Sequence, residues 1–138
     1  MVERYKTVLD DHGNPKWKGK IYQGFGFDNG YLMEGYLSGN DMYDSYRKLP
    51  FVPMNKSRGQ KVLDIGSNQG FFCFQAALHG ASQVTGIECT EQDVLAARDI
   101  KEITKLNNVN FINGDAVEHV MNTDDHYGLV IFLSLIHI

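Results

Sequence analysis

The chain has little of what marks several protein classes: 2 cysteines, 3 prolines and 1 tryptophan in 138 residues. Cys73 and Cys89 lack the paired spacing of a structural zinc site and are too few to staple a secreted domain. They read as reduced packing residues of an α/β domain. Histidines 12, 79, 119, 126 and 137 form no metal-ligand cluster, so no metal is expected. No apolar run approaches the roughly 18 residues of a membrane span. The start, Met1-Val2-Glu3-Arg4-Tyr5-Lys6, is too charged for a signal peptide. Repeats and low-complexity tracts are absent as well. The expectation is a soluble cytoplasmic protein with one modest core and no membrane partner.

Charge of one sign is also scarce where a nucleic-acid binder would need it. Residues 1–60 hold 9 Lys/Arg against 7 Asp/Glu, and residues 61–138 hold 4 against 10, which divides the formal net charge of −4. A front end at +2 is a weak attractor for a polyanion. The basic stretch Lys56-Ser57-Arg58-Gly59-Gln60-Lys61 reads as a solvated loop entering the first core strand.

What is present centres on Val62-Leu63-Asp64-Ile65-Gly66-Ser67-Asn68-Gln69-Gly70-Phe71-Phe72. Val62 to Ile65 is a short apolar run of the kind that forms a strand buried on both faces. Gly66 and Gly70 have no Cβ, so the backbone there can turn sharply and approach a ligand. Asp64 puts a carboxylate at the carboxyl end of that strand, where open α/β sheets bind ligands. A dinucleotide fingerprint needs Gly-x-Gly-x-x-Gly, but Asn68 and Phe71 hold the second and third glycine positions. A phosphate loop needs Gly-Lys-Ser/Thr, which the chain lacks. A negative charge before the turn suits a cationic amine and sulfonium better than a pyrophosphate.

Asp64-x-Gly66-x-x-x-Gly70 resembles the nucleotide-binding turn of class I S-adenosylmethionine (SAM) dependent methyltransferases, with Asn68 in place of a glycine common in that family. Phe71 to Leu78 reads as an apolar helix ending at Gly80. Ser82 to Ile87 reads as the second strand, closed by Glu88, which lies near the spacing at which an acid in such sheets takes the ribose hydroxyls. A carboxylate can accept two hydrogen bonds from a vicinal diol. Thr90-Glu91-Gln92-Asp93 resembles a capping box with Asp in the Glu/Gln place. The helix behind it presents Val94, Ala97, Ile100, Ile103 and Leu106 to a core. Asn107-Asn108 breaks that helix, and Val109 to Ile112 forms the third strand. The resemblance gives Asp115 the adenine amino group and Ala116 a backbone contact. The plainer alternative is that Asp115 caps a helix from Ala116 to Met121.

The alternation of strands and helices implies a parallel sheet with right-handed crossovers. Tyr127 to Leu133 would be its fourth strand, beside the first. The fold class expected is α/β, a Rossmann-like three-layer sandwich with only the first four core strands present. Residues 1–58 would be an N-terminal extension and residues 59–138 the first half of a truncated SAM-binding domain. The ending Leu133-Ser134-Leu135-Ile136-His137-Ile138 reads two ways. It resembles a Leu-Ser-x-x-His segment of many methyltransferases, which would make His137 an active-site residue. The codons CTG-TCT-CTT-ATA-CAC-ATC also encode these six residues, and that string is a transposon end used in preparing sequencing libraries.

The front segment is rich in glycine and aromatics, among them Trp17, Tyr22, Phe25, Phe27 and Tyr31. Gly24 to Phe27 and Asp28 to Tyr31 suggest turns or a hairpin. Asp41 to Leu49 reads as a short helix stopped by Pro50. In the family such segments lie over the SAM pocket as a substrate lid, while the aromatics could equally form a small core of their own.

The resemblance therefore implies a methyltransferase moving a methyl group from SAM to an unidentified acceptor, a small molecule or an RNA, with S-adenosylhomocysteine as product. Its cofactor set would be Asp64, Gly66, Ser67, Asn68, Gly70, Phe71, Glu88, Cys89, Asp115 and Ala116. The alternatives are a non-catalytic SAM-binding module and, less favoured by the glycine spacing, a nicotinamide oxidoreductase. An uncharged fourth strand without proline, left at a sheet edge, is expected to promote self-association.

Overall fold

A computed structural model describes residues 25–26, 32–33 and 48–132. Two short strands, β1 (Phe25–Gly26) and β2 (Leu32–Met33), pair antiparallel with Phe25 opposite Met33. This is the hairpin pairing expected of that segment. Most of the helix expected from Asp41 to Leu49 lies outside the described residues, and Leu49–Phe51 is a 3-10 turn carrying Pro50. A second 3-10 turn, Met54–Ser57, leads into the core.

The core alternates β3 (Lys61–Ile65), α1 (Phe71–Leu78), β4 (Gln83–Glu88), α2 (Glu91–Thr104), β5 (Val109–Asn113), α3 (Ala116–Asn122) and β6 (Leu129–Ile131). The four long-range strands form one parallel sheet in the order β5-β4-β3-β6. Right-handed crossovers put α1 and α2 on one face, and the return from β5 to β6 puts α3 on the other. This is the expected Rossmann-like layering. Because the chain leaves β3 toward β4 and comes back on the opposite side, the switch point opens at the carboxyl end of β3.

Burial explains why these segments hold their places. Val62 and Leu63 are both enclosed, so β3 is covered on its two faces, as its run of apolar residues requires. α1 is apolar nearly all round, and Phe71 through Ala76 are buried. Phe74 meets Phe111 edge-on at 5.5 Å, which ties α1 to β5 across β4. α1 stops in a Schellman motif: Gly80 takes φ +92, its N–H donates to Ala77, and the Ala81 N–H donates to Ala76. α2 buries Val94, Ala97 and Ile100 as expected, with Leu106 packed partly against the same cluster. It ends at Thr104 through Lys105 at φ +57, ahead of the asparagines expected to break it.

α3 is less engaged. It buries no side chain, and Val117, Val120 and Met121 are exposed. β6 spans Leu129–Ile131, the three residues in register with β3; of the expected Tyr127 to Leu133, Tyr127, Gly128 and Phe132 are not in the strand. Residues 133–138, including His137, lie outside the described residues. No helix among the described residues is long and apolar enough to cross a membrane.

Candidate functional site

The carboxyl ends of β3, β4 and β5 converge through register. Asp64 lies opposite Gly86, Ile65 opposite Ile87, and Glu88 opposite Asn113. The Gly-rich turn is anchored where β3 ends: the N–H groups of Gly66 and Ser67 both donate to the Ile87 carbonyl at 2.9 Å. Three residues of the turn then take left-handed backbone, with φ +70 at Gly66, +54 at Asn68 and +93 at Gly70. Glycine accepts this freely, and asparagine is among the few other residues that tolerate it. Asn68 can therefore hold a backbone conformation that otherwise calls for glycine. Gly70 has a second reason to lack a side chain, since a Cβ there would sit 2.7 Å from Phe111 and 2.9 Å from Phe74.

Glu88 is 8% exposed and closes on the turn. Its Oε1 accepts the Asn68 N–H at 2.8 Å, and its Oε2 accepts the Thr90 N–H at 2.9 Å. Oε2 also takes the Cys89 thiol at 3.6 Å, whereas Oε1 keeps a further lone pair, so the carboxylate is held in place with acceptor capacity on Oε1 to spare. Thr90 opens α2 but makes no side-chain cap, and Asp93 does not reach back to it. The expected capping box is therefore absent. Its place is taken by bonds from outside the helix: Glu88, two residues before Thr90, receives the Thr90 N–H, and Asp93 receives the amide of Gln69, 24 positions away, at 3.1 Å.

Asp64 is 2% exposed and sits between Cys73, whose thiol donates to Oδ2 at 3.5 Å, and Glu88. Burial pushes its carboxyl up to about 7; the Cys73 hydrogen bond pulls the other way, and the negative charge of Glu88 adds a smaller push upward. Burial also pushes the Cys73 thiol well above its usual range, helped by the Asp64 charge. Asp93 is raised in the same direction, chiefly by burial, against the pull of the Gln69 amide. Three carboxyl groups thus share one corner of the fold. Such a donor set suits a ligand that brings positive charge and lowers the cost of ionising them.

β5 supplies the third wall. The Asn113 amide donates to the Glu88 carbonyl at 3.1 Å and to the Cys89 carbonyl at 3.2 Å, and the Gly114 N–H also reaches Glu88 O. Asp115 caps α3, its Oδ1 accepting the Glu118 N–H at 3.1 Å, so the plainer of its two readings is realised in the structure. Asp115 lines an open cleft of about 390 Å³ with Asn113, Glu118 and His119.

The structure brings Asp64, Gly66, Asn68, Glu88 and Cys89 together around the turn, and places Asp115 and Ala116 one strand further on. Cys89 is exposed, with its thiol 3.6 Å from Glu88 Oε2. Two members of the expected set have side chains facing inward. Phe71 is in the core, edge-on to Phe72 at 5.1 Å, so its ring does not face the open side of the turn. Ser67 is buried with its Oγ unpartnered among the described residues, packed where Gly86 leaves room. Gln69, Asp93 and Asn113 were not singled out as site residues. A glutamine enclosed between an Asn and a Gly carries no local signal, because its partner is 24 positions away. No group of three His, Cys, Asp or Glu able to hold a metal occurs among the described residues.

A family model for a methyltransferase domain matches residues 56–137. A ribosomal protein L11 methyltransferase of Lactobacillus gasseri is 39% identical over 70 residues, 51% of this chain and 21% of its own length. The PRMT1 enzyme–prozyme heterotetrameric complex of Trypanosoma brucei, solved with AdoHcy, is 28% identical. It superposes at a TM-score of 0.51 over 64% of this chain and 28% of that one. The bifunctional kinase–methyltransferase WbdD superposes at 0.61 over 80% of this chain and 25% of that one; at 22% identity this shows the shared fold alone. The chain thus spans 21 to 28% of the length of these proteins.

Proposed function

Because the chain belongs to the methyltransferase domain family and has the Rossmann-like core of its class I SAM-dependent members, we propose that it binds SAM at the carboxyl ends of β3, β4 and β5 and serves methyl transfer from it. The acceptor class we favour is a small molecule or an RNA. SAM supplies an electrophilic methyl on a sulfonium, and the protein's part is to align it and exclude water. Asp64 and the backbone from Gly66 to Gly70, with Ser67 and the Phe71 amide alongside, would face the methionine end. Glu88 would take the ribose hydroxyls, with Cys89 beside it, and Asp115 and Ala116 the adenine. Residues 1–58 would form the acceptor-side lid over this site.

The observation that carries the reading is the seat of Glu88. It is a buried carboxylate fixed by two backbone amides, one of them from the Gly-rich turn itself, with a lone pair of Oε1 left for a ribose hydroxyl and the weakly bonded Cys89 thiol the one donor to give way on Oε2. Isothermal titration with SAM, S-adenosylhomocysteine and NAD tests it. Binding of the first two and not of NAD is expected, since Asn68 stands where a dinucleotide turn needs glycine. Glu88→Ala should weaken SAM binding about 10- to 150-fold, the equivalent of charge-assisted hydrogen bonds of roughly 1.5–3 kcal/mol. Unchanged affinity in a folded variant would remove the ribose assignment.

A further inference from the structure

Gln69 is a polar side chain with only 2% of its surface exposed, standing inside the Gly-rich turn. A buried amide left unpaired would be costly, and this one crosses to the first turn of α2, where Nε2 donates to Asp93 Oδ1 at 3.1 Å. The bond closes a ring. Asn68 donates its N–H to Glu88, Glu88 accepts the N–H of Thr90, Thr90 begins the helix that carries Asp93, and Asp93 accepts from Gln69, the neighbour of Asn68. Every link except the Gln69 amide is backbone or a carboxylate.

We propose that Gln69 is a positioning residue for the cofactor site, acting through Asp93 to hold the turn and the Glu88 carboxylate in one fixed relation. The inference rests on the reading of the site as a SAM pocket. Without the amide, Asn68 keeps its left-handed backbone with one tether fewer, and Asp93 faces the Glu88 charge without a compensating donor. The turn can then drift from Glu88, and displacements of an ångström at positioning groups have large effects. Gln69 touches no ligand in this scheme; it decides where the groups that do are held.

A donor–acceptor swap tests this on the 138-residue chain. Gln69→Glu and Asp93→Asn each destroy the bond, whereas the double variant keeps both side-chain lengths and reverses the direction of donation. SAM affinity is read by isothermal titration and folding by thermal melts. Each single variant should bind SAM about 10-fold more weakly, as for the loss of a hydrogen bond to a charged group. The double variant should return to within about threefold of the parent, the residue of an imperfectly restored bond. A double variant that regains its melting temperature but not its affinity would overturn the proposal, leaving the pair a structural clip. So would wild-type affinity in a folded Gln69→Leu variant. Glu88→Ala run alongside separates the two failures. A parent chain that binds neither SAM nor S-adenosylhomocysteine refutes the SAM reading and this proposal with it. A parent that binds, with Glu88→Ala impaired and the Gln69 variants not, refutes only the role of Gln69.

Discussion

Replacing Asp64 with asparagine removes a carboxyl that burial pushes up to about 7 while keeping its shape. In the unfolded chain an Asp titrates near 3.9, so across the interval between these values the native state retains a proton that the unfolded state has released. Native stability is then fully present below the lower value and falls as pH rises through the upper one, by about 1.36 kcal/mol per unit. Over the roughly three-unit interval this amounts to about 4 kcal/mol, complete a little above neutrality, and smaller if water reaches the carboxylate. Asparagine cannot titrate and escapes this loss. Urea denaturation of both proteins at intervals from pH 4 to 8.5 measures the effect, and subtracting the two curves cancels the titrating groups that do not feel the Asp64 charge, leaving those beside it, Glu88 and Cys73. The difference should grow in favour of Asp64→Asn as pH rises and level off above neutrality. Parallel curves would refute the reasoning and show that Asp64 is ionised throughout. The proposed ligand supplies a second readout. A cation bound beside Asp64 favours the ionised carboxyl, so titrating SAM near pH 6.5 in buffers of different ionisation enthalpy should show proton release from the parent chain. Asp64→Asn should release none, and should bind more weakly because its amide carries no charge.

Gly66→Val should lose SAM binding while the fold persists, because a β-branched residue at φ +70 strains the turn by about 1–3 kcal/mol; undiminished binding in a variant with an intact circular dichroism spectrum would count against the turn as the ligand cradle. Gly70→Ala combines a left-handed φ with a Cβ 2.7 Å from the Phe111 ring, and should cost about 2–4 kcal/mol in denaturant titration. A loss below about 0.5 kcal/mol would show that the Phe74–Phe111 contact yields easily. β6 is an edge strand of the described sheet, and Val130 on it is 52% exposed. Val130→Lys should reduce self-association in sedimentation velocity, since a lysine on an edge strand opposes pairing with a second chain; equal association of both proteins would place the sticky surface elsewhere.

Much of the fold is written in contiguous residues. The four aliphatic and acidic positions from Val62 to Ile65, the glycines at 66 and 70, the apolar helix to Leu78 and the acid at 88 each express local geometry, and each lies where that geometry requires. The alternation of strand and helix carried the parallel sheet, because helical crossovers leave parallel neighbours as the simplest closure. The same local logic misassigned Thr90 and Asp93. Their spacing satisfies a capping box, but the Glu88 carboxylate and the Gln69 amide reach those groups first, and both arrive from outside the helix. Phe71 directly follows the turn in sequence, yet the start of α1 rotates its ring into the core. Gln69 and Asn113 acquire their parts only when β3, β4 and β5 are laid side by side. Their partners lie 24 and 25 positions away, and nothing but strand register decides which carbonyl or carboxylate comes within reach. The sequence by itself determined the strand, the turn and the carboxylates, because those depend on backbone freedom and short-range pattern. Only the tertiary structure decided how the carboxylates are held and how far Asp64 resists ionisation, because both depend on burial and on neighbours distant along the chain.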